Sequence, residues 1–156
     1  HGFYEHDTSV FLTQTHVPLL VIAPGKVPQG LRVAQPVSLV DLPATLLELG
    51  TGETGVLPGA SLTGYWSAAA PAPRPVLATL DKRRYSQAAL LTPRYHYIRF
   101  QTGEERLFDH VNDRAEKTNL LDTPAGAAEL PALRSALREL AGEKIFRLPA
   151  PRKSAE

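Results

Sequence analysis

The chain has 156 residues, of which 43% are hydrophobic and 21% charged, and its formal net charge is +1. That length is enough for one domain with a core, and the near-neutral balance excludes the basic footprint of a nucleic-acid binder. Zero cysteines exclude disulfides and thiolate chemistry in this segment, and no apolar run approaches the roughly 20 residues of a membrane helix.

The chain opens on His1, with no Met at any position, inside a polar loop that runs to His16. It then passes at once into Val17–Ala23, a continuous apolar run of strand length closed by Pro24-Gly25. Runs without alternation suit a strand covered on both faces, as in α/β sheets. A domain rarely begins with such polar side chains and a strand that needs neighbours, which predicts the C-terminal part of a larger protein. Asp41 to Gly50 reads as a helix, with Asp41 or Ser38 as its cap, Pro43 in its first turn and Gly50 at its end. Leu42, Leu46 and Leu49 would form its apolar stripe. Residues 51–75 are a Gly-, Ala- and Pro-rich connection that holds the only Trp, Trp66.

From Pro75 the pattern turns to β. Val76–Leu80, Ser86–Leu91, Tyr95–Phe100 and Arg106–Asp109 are predicted strands, with a hairpin turn at Gln101-Thr102-Gly103-Glu104. His96 and Arg99 interrupt the β-formers of the third, which suits a sheet with one covered and one wet face. Ala127–Leu140 carries Leu130, Leu133, Leu137 and Leu140 at helical spacing, with Pro131 either in the first turn or kinking the helix. The elements together describe an α/β unit followed by a small antiparallel sheet and a helix.

Among the polar groups, His1 and His6 stand out: five residues apart in a glycine-containing loop, they can converge on an anionic group or a metal. Glu5 and Asp7 flank His6 and can orient it. Spacing alone equally suits two exposed loop histidines. His16, His96 and His110 have no companions in the sequence and read as structural. No nucleophile-elbow Ser, phosphate-cradling Gly loop or complete metal-ligand set is present in the pattern.

Several blocks resemble sulfatases of the alkaline phosphatase superfamily. His1-Gly2 occupies the place of that family's Glu-His-Gly, and His6 lies eleven residues before Val17, where the family has His or Lys. His16-Val17-Pro18-Leu19-Leu20 through Pro24-Gly25 resembles the strand and turn that follow. Pro36-Val37-Ser38-Leu39-Val40-Asp41-Leu42 through Leu49 is similar to the family's Val-Ser-Leu-Val-Asp-Leu-x-Pro-Thr-Leu-Leu helix. Leu57-Pro58-Gly59-Ala60-Ser61-Leu62 is similar to its Leu-Asp-Gly-x-Ser-Leu. Arg106-Leu107-Phe108-Asp109 through Asn112-Asp113, with Glu116, Asn119 and Leu120, resembles its Leu-Tyr-Asp-Leu, Asp-Pro, Glu, Asn-Leu ending. The blocks keep the family's order over about residues 1–122.

The resemblance implies the C-terminal fragment of an alkaline-phosphatase-like α/β/α sandwich, followed by a small antiparallel sheet packed with a C-terminal helix. Residues 1–70 would end the α/β catalytic domain, 71–148 would form the sheet-plus-helix subdomain, and 149–156 a disordered tail. It implies a hydrolase of sulfate esters, small or glycan, with His6 and, beside it, His1 as substrate-binding residues. No catalytic nucleophile and no metal ligand falls in this chain. The family's Cys/Ser-x-Pro-x-Arg nucleophile, matured to formylglycine, and the ligands of its divalent metal, calcium above all, lie upstream, so the fragment alone would be inactive. The resemblance also implies an extracytoplasmic location. Departures are Phe11-Leu12-Thr13-Gln14 in place of Tyr-Glu-Glu, Pro58 for Asp, and Asp113-Arg114 for Asp-Pro. Alternatives are a phosphodiesterase, phosphonate hydrolase or phosphoethanolamine-type transferase of the same superfamily, or a noncatalytic remnant that binds an anion or a partner.

Overall fold

The computed structural model describes residues 8–67, 70–82 and 85–142. They form two compact units, one of residues 1–16 with 77–156 and the other of residues 17–76.

The first unit is built on a four-stranded sheet in the order β1-β2-β3-β4, with β1 Val76–Leu80, β2 Gln87–Leu91, β3 Tyr95–Phe100 and β4 Glu105–Asp109. Tyr97 lies opposite Leu90 on one side and Leu107 on the other, which fixes the antiparallel register. The β3–β4 turn closes at Gly103, whose φ of 89° suits glycine.

Because strand side chains alternate between faces, one register defines two surfaces. Ala88, Leu90, Tyr97 and Leu107 meet Leu130, Leu133 and Leu137 of a long helix (Pro124–Ala141). On the opposite face, Ala89, Ile98 and Phe108 pack with Val10 and Phe11 from the start of the chain. The sheet is therefore covered on both faces, not wet on one. His96 and Arg99 point to opposite faces, and His96 is fully buried.

The long helix starts earlier than its leucine spacing suggests. Thr123 accepts the Gly126 N–H through Oγ1 at 3.1 Å, and Pro124 takes the first turn. Its buried stripe is Gly126, Leu130, Leu133 and Leu137, while Leu140 is exposed. Pro131 sits inside the helix rather than in its first turn.

In the second unit a helix spans Leu42–Thr51 and ends at Gly52, not Gly50, with φ of 81° at the cap. Its buried positions are Ala44 and Thr45, and Leu46 is exposed. The stripe differs because segment 59–62 lies along the small-residue side: Thr45 Oγ1 accepts the Leu62 N–H at 2.9 Å. Ser38 caps the short 3-10 turn Leu39–Asp41 before the helix, through a bond from Val40 N–H. Asp41 makes no side-chain cap bond to the helix. Its carboxylate instead accepts the Ala60 N–H at 2.8 Å and pairs with Arg74 at 2.9 Å. Gly59 lies so close that a Cβ would stand 2.4 Å from the Val40 carbonyl oxygen. Val17–Ala23 forms no strand, with Leu20 81% and Ile22 77% exposed. A strand exists only as part of a ladder, and among the described residues no strand pairs with this one.

We label the helices α1 (Leu12–Thr15), α2 (Leu42–Thr51) and α3 (Pro124–Ala141).

Candidate functional site

The two sequence-predicted site residues, His1 and His6, lie outside the described residues, as does the expected tail 149–156. The described segment that follows His6 is held by packing and by hydrogen bonds to its backbone. Ser9, Val10 and Phe11 are buried, and the Phe11 ring meets Phe108 at 5.9 Å between centroids. The Arg106 guanidinium lies 5.8 Å over the Phe11 ring and 5.3 Å over Phe100, closing that side of the cluster.

The backbone of the segment is satisfied by side chains. Gln14 Oε1 accepts the Thr8 and Ser9 N–H groups at 3.2 and 3.0 Å, and Gln14 Nε2 donates to Thr8 Oγ1 at 2.7 Å. Val10 N–H donates to Gln87 Oε1 of β2 at 3.1 Å. Leu12 N–H, at the start of α1, donates to Glu116 Oε2 at 2.8 Å. The other carboxylate oxygen of Glu116 accepts from His96 Nδ1 of β3, and both side chains are buried.

Glu116 is also the one non-glycine residue with positive φ among those described, at 51°. Such a conformation costs on the order of 1–3 kcal/mol and persists only where the surroundings over-determine it. Here two hydrogen bonds to a buried carboxylate do so. Sequence reasoning read His96 as structural but without a companion, passed over Gln87 and gave Glu116 no contact. The signals were present as a polar residue inside each of two strands and an acid after a turn, but their partners lie 20, 77 and 104 residues away.

The remaining ending-block residues have structural tasks. Asp113 Oδ2 accepts the Lys117 and Thr118 N–H groups at 2.8 and 2.7 Å. Asn119 Oδ1 accepts the Leu107 N–H of β4 at 3.0 Å, and Leu120 N–H returns to Leu107 O at 2.8 Å. Asp109 accepts Arg94 Nε at 3.0 Å and Asn112 Nδ2 at 2.9 Å. Burial raises its pKa, but the bonds from Asn112 and Arg94 outweigh that and leave it below the ordinary value. His110 Nε2 donates to Thr92 O at 2.8 Å, a structural bond as expected.

On the α3 face, Glu105 accepts from Tyr97 and from Arg134, with Arg134 Nε at 3.1 Å. The Arg134 bond leads in holding the Glu105 carboxyl below its usual range. Burial first, then the Glu105 contact, pushes the Tyr97 phenol well up.

The second unit has a shallow groove of about 690 Å³ lined by Lys26, Glu48, Thr63 and Trp66 among others. Its charges are already engaged: Lys26 donates to the Leu49 carbonyl, and Thr63 donates to Glu48 at 2.8 Å. Among the described residues no three His, Cys, Asp or Glu side chains converge as a metal site, and no helix is long and apolar enough to cross a membrane.

No family model matches the chain. It is 48% identical over 58 residues to arylsulfatase K of Danio rerio, a match taking in 36% of this chain and 11% of that protein. The fold is similar to that of a 2-O GAG sulfatase, with a TM-score of 0.55 and 23% identity over 64% of this chain and 23% of the other. It is also similar to a structure solved in complex with its substrate D-glucosamine-2-N,6-O-disulfate, with a TM-score of 0.55 and 19% identity over 74% of this chain and 25% of that one. The chain has the fold of a sulfatase C-terminal portion. The four-stranded sheet, its helix and the segment from Thr8 to His16 form one unit, and the expected antiparallel sheet with a C-terminal helix is present.

Proposed function

We propose that this chain is the C-terminal part of a sulfuric ester hydrolase that cleaves small or glycan sulfate esters. The observation that carries the reading is the 48% identity to arylsulfatase K. The nucleophile, of the formylglycine type, and the ligands of a divalent metal, calcium by preference, belong to the sequence upstream of His1. Among the described residues no cluster of this chain fits that metal.

The chemistry assigned to this chain is binding and charge neutralisation. His6, with His1 beside it, sits at the sulfate oxygens. An imidazolium N–H there stabilises negative charge as the ester bond breaks, an interaction stronger in the transition state than in the ground state. The mechanical part falls to segment 9–12, which ties the His6 loop to the sheet.

The deciding experiment pairs the upstream coding sequence with assays on 4-nitrophenyl sulfate and bis(4-nitrophenyl) phosphate. A Cys/Ser-x-Pro-x-Arg motif and sulfate release by the full-length protein are expected, with no turnover by residues 1–156 alone and a His6→Ala kcat lowered by 10²-fold or so, the scale of one oxyanion donor. An upstream Thr or unmodified Ser, with turnover of the phosphate diester only, would move the protein to the phosphodiesterase or transferase branch. An unchanged rate in His6→Ala would return His6 to an exposed loop residue.

A further inference from the structure

We propose that the groove at the C-terminal end of α2 binds uncharged pyranose rings, with the Trp66 indole as their platform. The inference goes beyond the hydrolysis of sulfate esters and does not depend on it.

The groove is assembled from three segments of the second unit: the turn at Lys26, the last turn of α2 and the 3-10 turn Leu62–Trp66. Its volume of about 690 Å³ lies in the range of small-molecule sites, about 300–1,000 Å³. Its side chains are held before any ligand arrives. Leu62 and Tyr65 are buried and anchor the turn that carries Trp66, and the Thr45 bond to the Leu62 N–H at 2.9 Å ties that turn to α2. Thr63 Oγ1 donates to the Glu48 carboxylate at 2.8 Å, and Lys26 is drawn in by the Leu49 carbonyl. Those bonds do not exhaust the polar groups. An ammonium carries three N–H donors and Lys26 spends one, and among the described residues no acceptor meets the Trp66 indole N–H. Gly50 and Gly52 add bare backbone, since a Cβ at either would meet nothing within 4 Å.

These features select a flat, uncharged, hydroxylated ligand. One ammonium and one carboxylate line the groove, so its formal charge cancels and neither an anion nor a cation is drawn in by the field alone. The indole offers a broad apolar face with a polar N–H at its edge. A pyranose ring matches it: the axial C–H bonds cover the aromatic face, while the hydroxyls around the rim donate to Glu48 and accept from Lys26 and the indole N–H. A purely apolar ligand would leave those groups unpaired. So shallow a groove leaves one ring face in water and binds weakly. Roughly a dozen ligand atoms at ordinary efficiency give a Kd on the order of 1 mM.

The test is saturation-transfer NMR on the full-length protein, with maltotriose, cellotriose and triacetylchitotriose as probes and sodium sulfate and adenosine as competitors. Transfer to at least one trisaccharide is expected, strongest at the C–H protons of the ring face, with neither competitor reducing it. Trp66→Ala is expected to raise the Kd about tenfold or more, the scale of an aromatic anchor. Gly50→Leu decides the matter if that variant fails to fold. Gly50 is a helical residue of α2 with open space at its Cβ, so leucine enters without strain, raises helix propensity and occupies the groove. It is expected to abolish transfer, with a Tm at or above that of the unaltered protein.

Transfer to none of the trisaccharides at concentrations well above that Kd would overturn the inference. Transfer that survives in Gly50→Leu, or in a folded Trp66→Ala, would place the sugar elsewhere and overturn it too. Competition by sulfate or adenosine would make the groove an anion or base site instead. None of these readouts needs turnover, so a protein that hydrolyses no sulfate ester would defeat the functional reading while this one is still decided.

Discussion

Gly126→Ala tests whether α3 is docked as closely as its first turn indicates. Helix propensity alone says the change should stabilise, by about 1 kcal/mol. The packing says otherwise: a Cβ at Gly126 would stand 1.9 Å from the Leu120 carbonyl oxygen, 2.8 Å from its carbon and 3.4 Å from Leu107 Cδ2. The obstacle is backbone, so the helix start must retreat by roughly 1.5 Å to reach ordinary contact. That retreat pulls on the Thr123 cap at 3.1 Å and on the Leu120 N–H bond to Leu107 at 2.8 Å. Overpacking of this kind costs about 1–3 kcal/mol, and a lost cap about 1 more. Set against the propensity gain, the net is about 2 kcal/mol destabilising, a fall in Tm on the order of 10 °C for a unit of this size. Thermal unfolding followed by far-UV circular dichroism measures it, with the exposed Ala128→Gly as the propensity control. A Gly126→Ala protein with a Tm at or above wild type would show that α3 does not press on Leu120, and the docking geometry would be wrong.

Two further outcomes follow from charge and hydrogen bonding. Glu105 is held low by Arg134, so its contribution is present above the unfolded carboxyl value of about 4.3 and is lost as pH falls through the lower folded value. Tyr97 is raised by burial, so its contribution is present below about pH 10 and is lost as pH rises through the higher folded value. A Tm-against-pH profile should therefore fall at both ends; Arg134→Gln should flatten the acid limb and Tyr97→Phe the alkaline one, and limbs that persist in these variants would refute the assignment. In the second unit, Asp41→Ala leaves the Ala60 N–H without its acceptor and should cost about 1–3 kcal/mol. Arg74→Ala, at a half-exposed partner, should cost less than about 1 kcal/mol. Urea unfolding followed by Trp66 fluorescence separates the two, and equal losses would place the energy in the ion pair instead.

What could be read in advance depended on the range of the interaction. The four strands lay within a residue or two of their expected spans because alternation and turn residues are local signals, as at Gln101–Glu104. The long helix was legible in its leucines, though Leu140 took no part in the stripe: Ala141, four residues on from Leu137, packs against the core instead. What covers the second sheet face was not legible. Val10 and Phe11 come from the far end of the chain, and nothing in β3 says which remote residues will bury His96 and Ile98. The same distance hid the bond that joins Glu116 to Leu12. Val17–Ala23 failed for the opposite reason: its apolar run is a sound strand signal, but a strand without a ladder partner does not form. Asp41 was misread because a cap and a loop tether use the same short carboxylate, and only the return of the chain at Ala60 distinguishes them.

The blocks that carry the sulfatase resemblance prove to be largely the parts that hold the chain in shape. Gly59 makes room for the Val40 carbonyl, Asp41 and Thr45 bind the backbone of segment 60–62, Asn119 binds β4, and Glu116 binds both the sheet and the N-terminal segment. A backbone amide reached by one side chain tolerates few substitutes, since each alternative either strands a buried N–H or fails to span the gap. The described segment from Val10 to Leu12 takes its position from the sheet and the turn after it, through Gln87 and Glu116. A change at Glu116 or Gln87 therefore leaves the Leu12 or Val10 N–H without its acceptor and loosens this segment from the sheet.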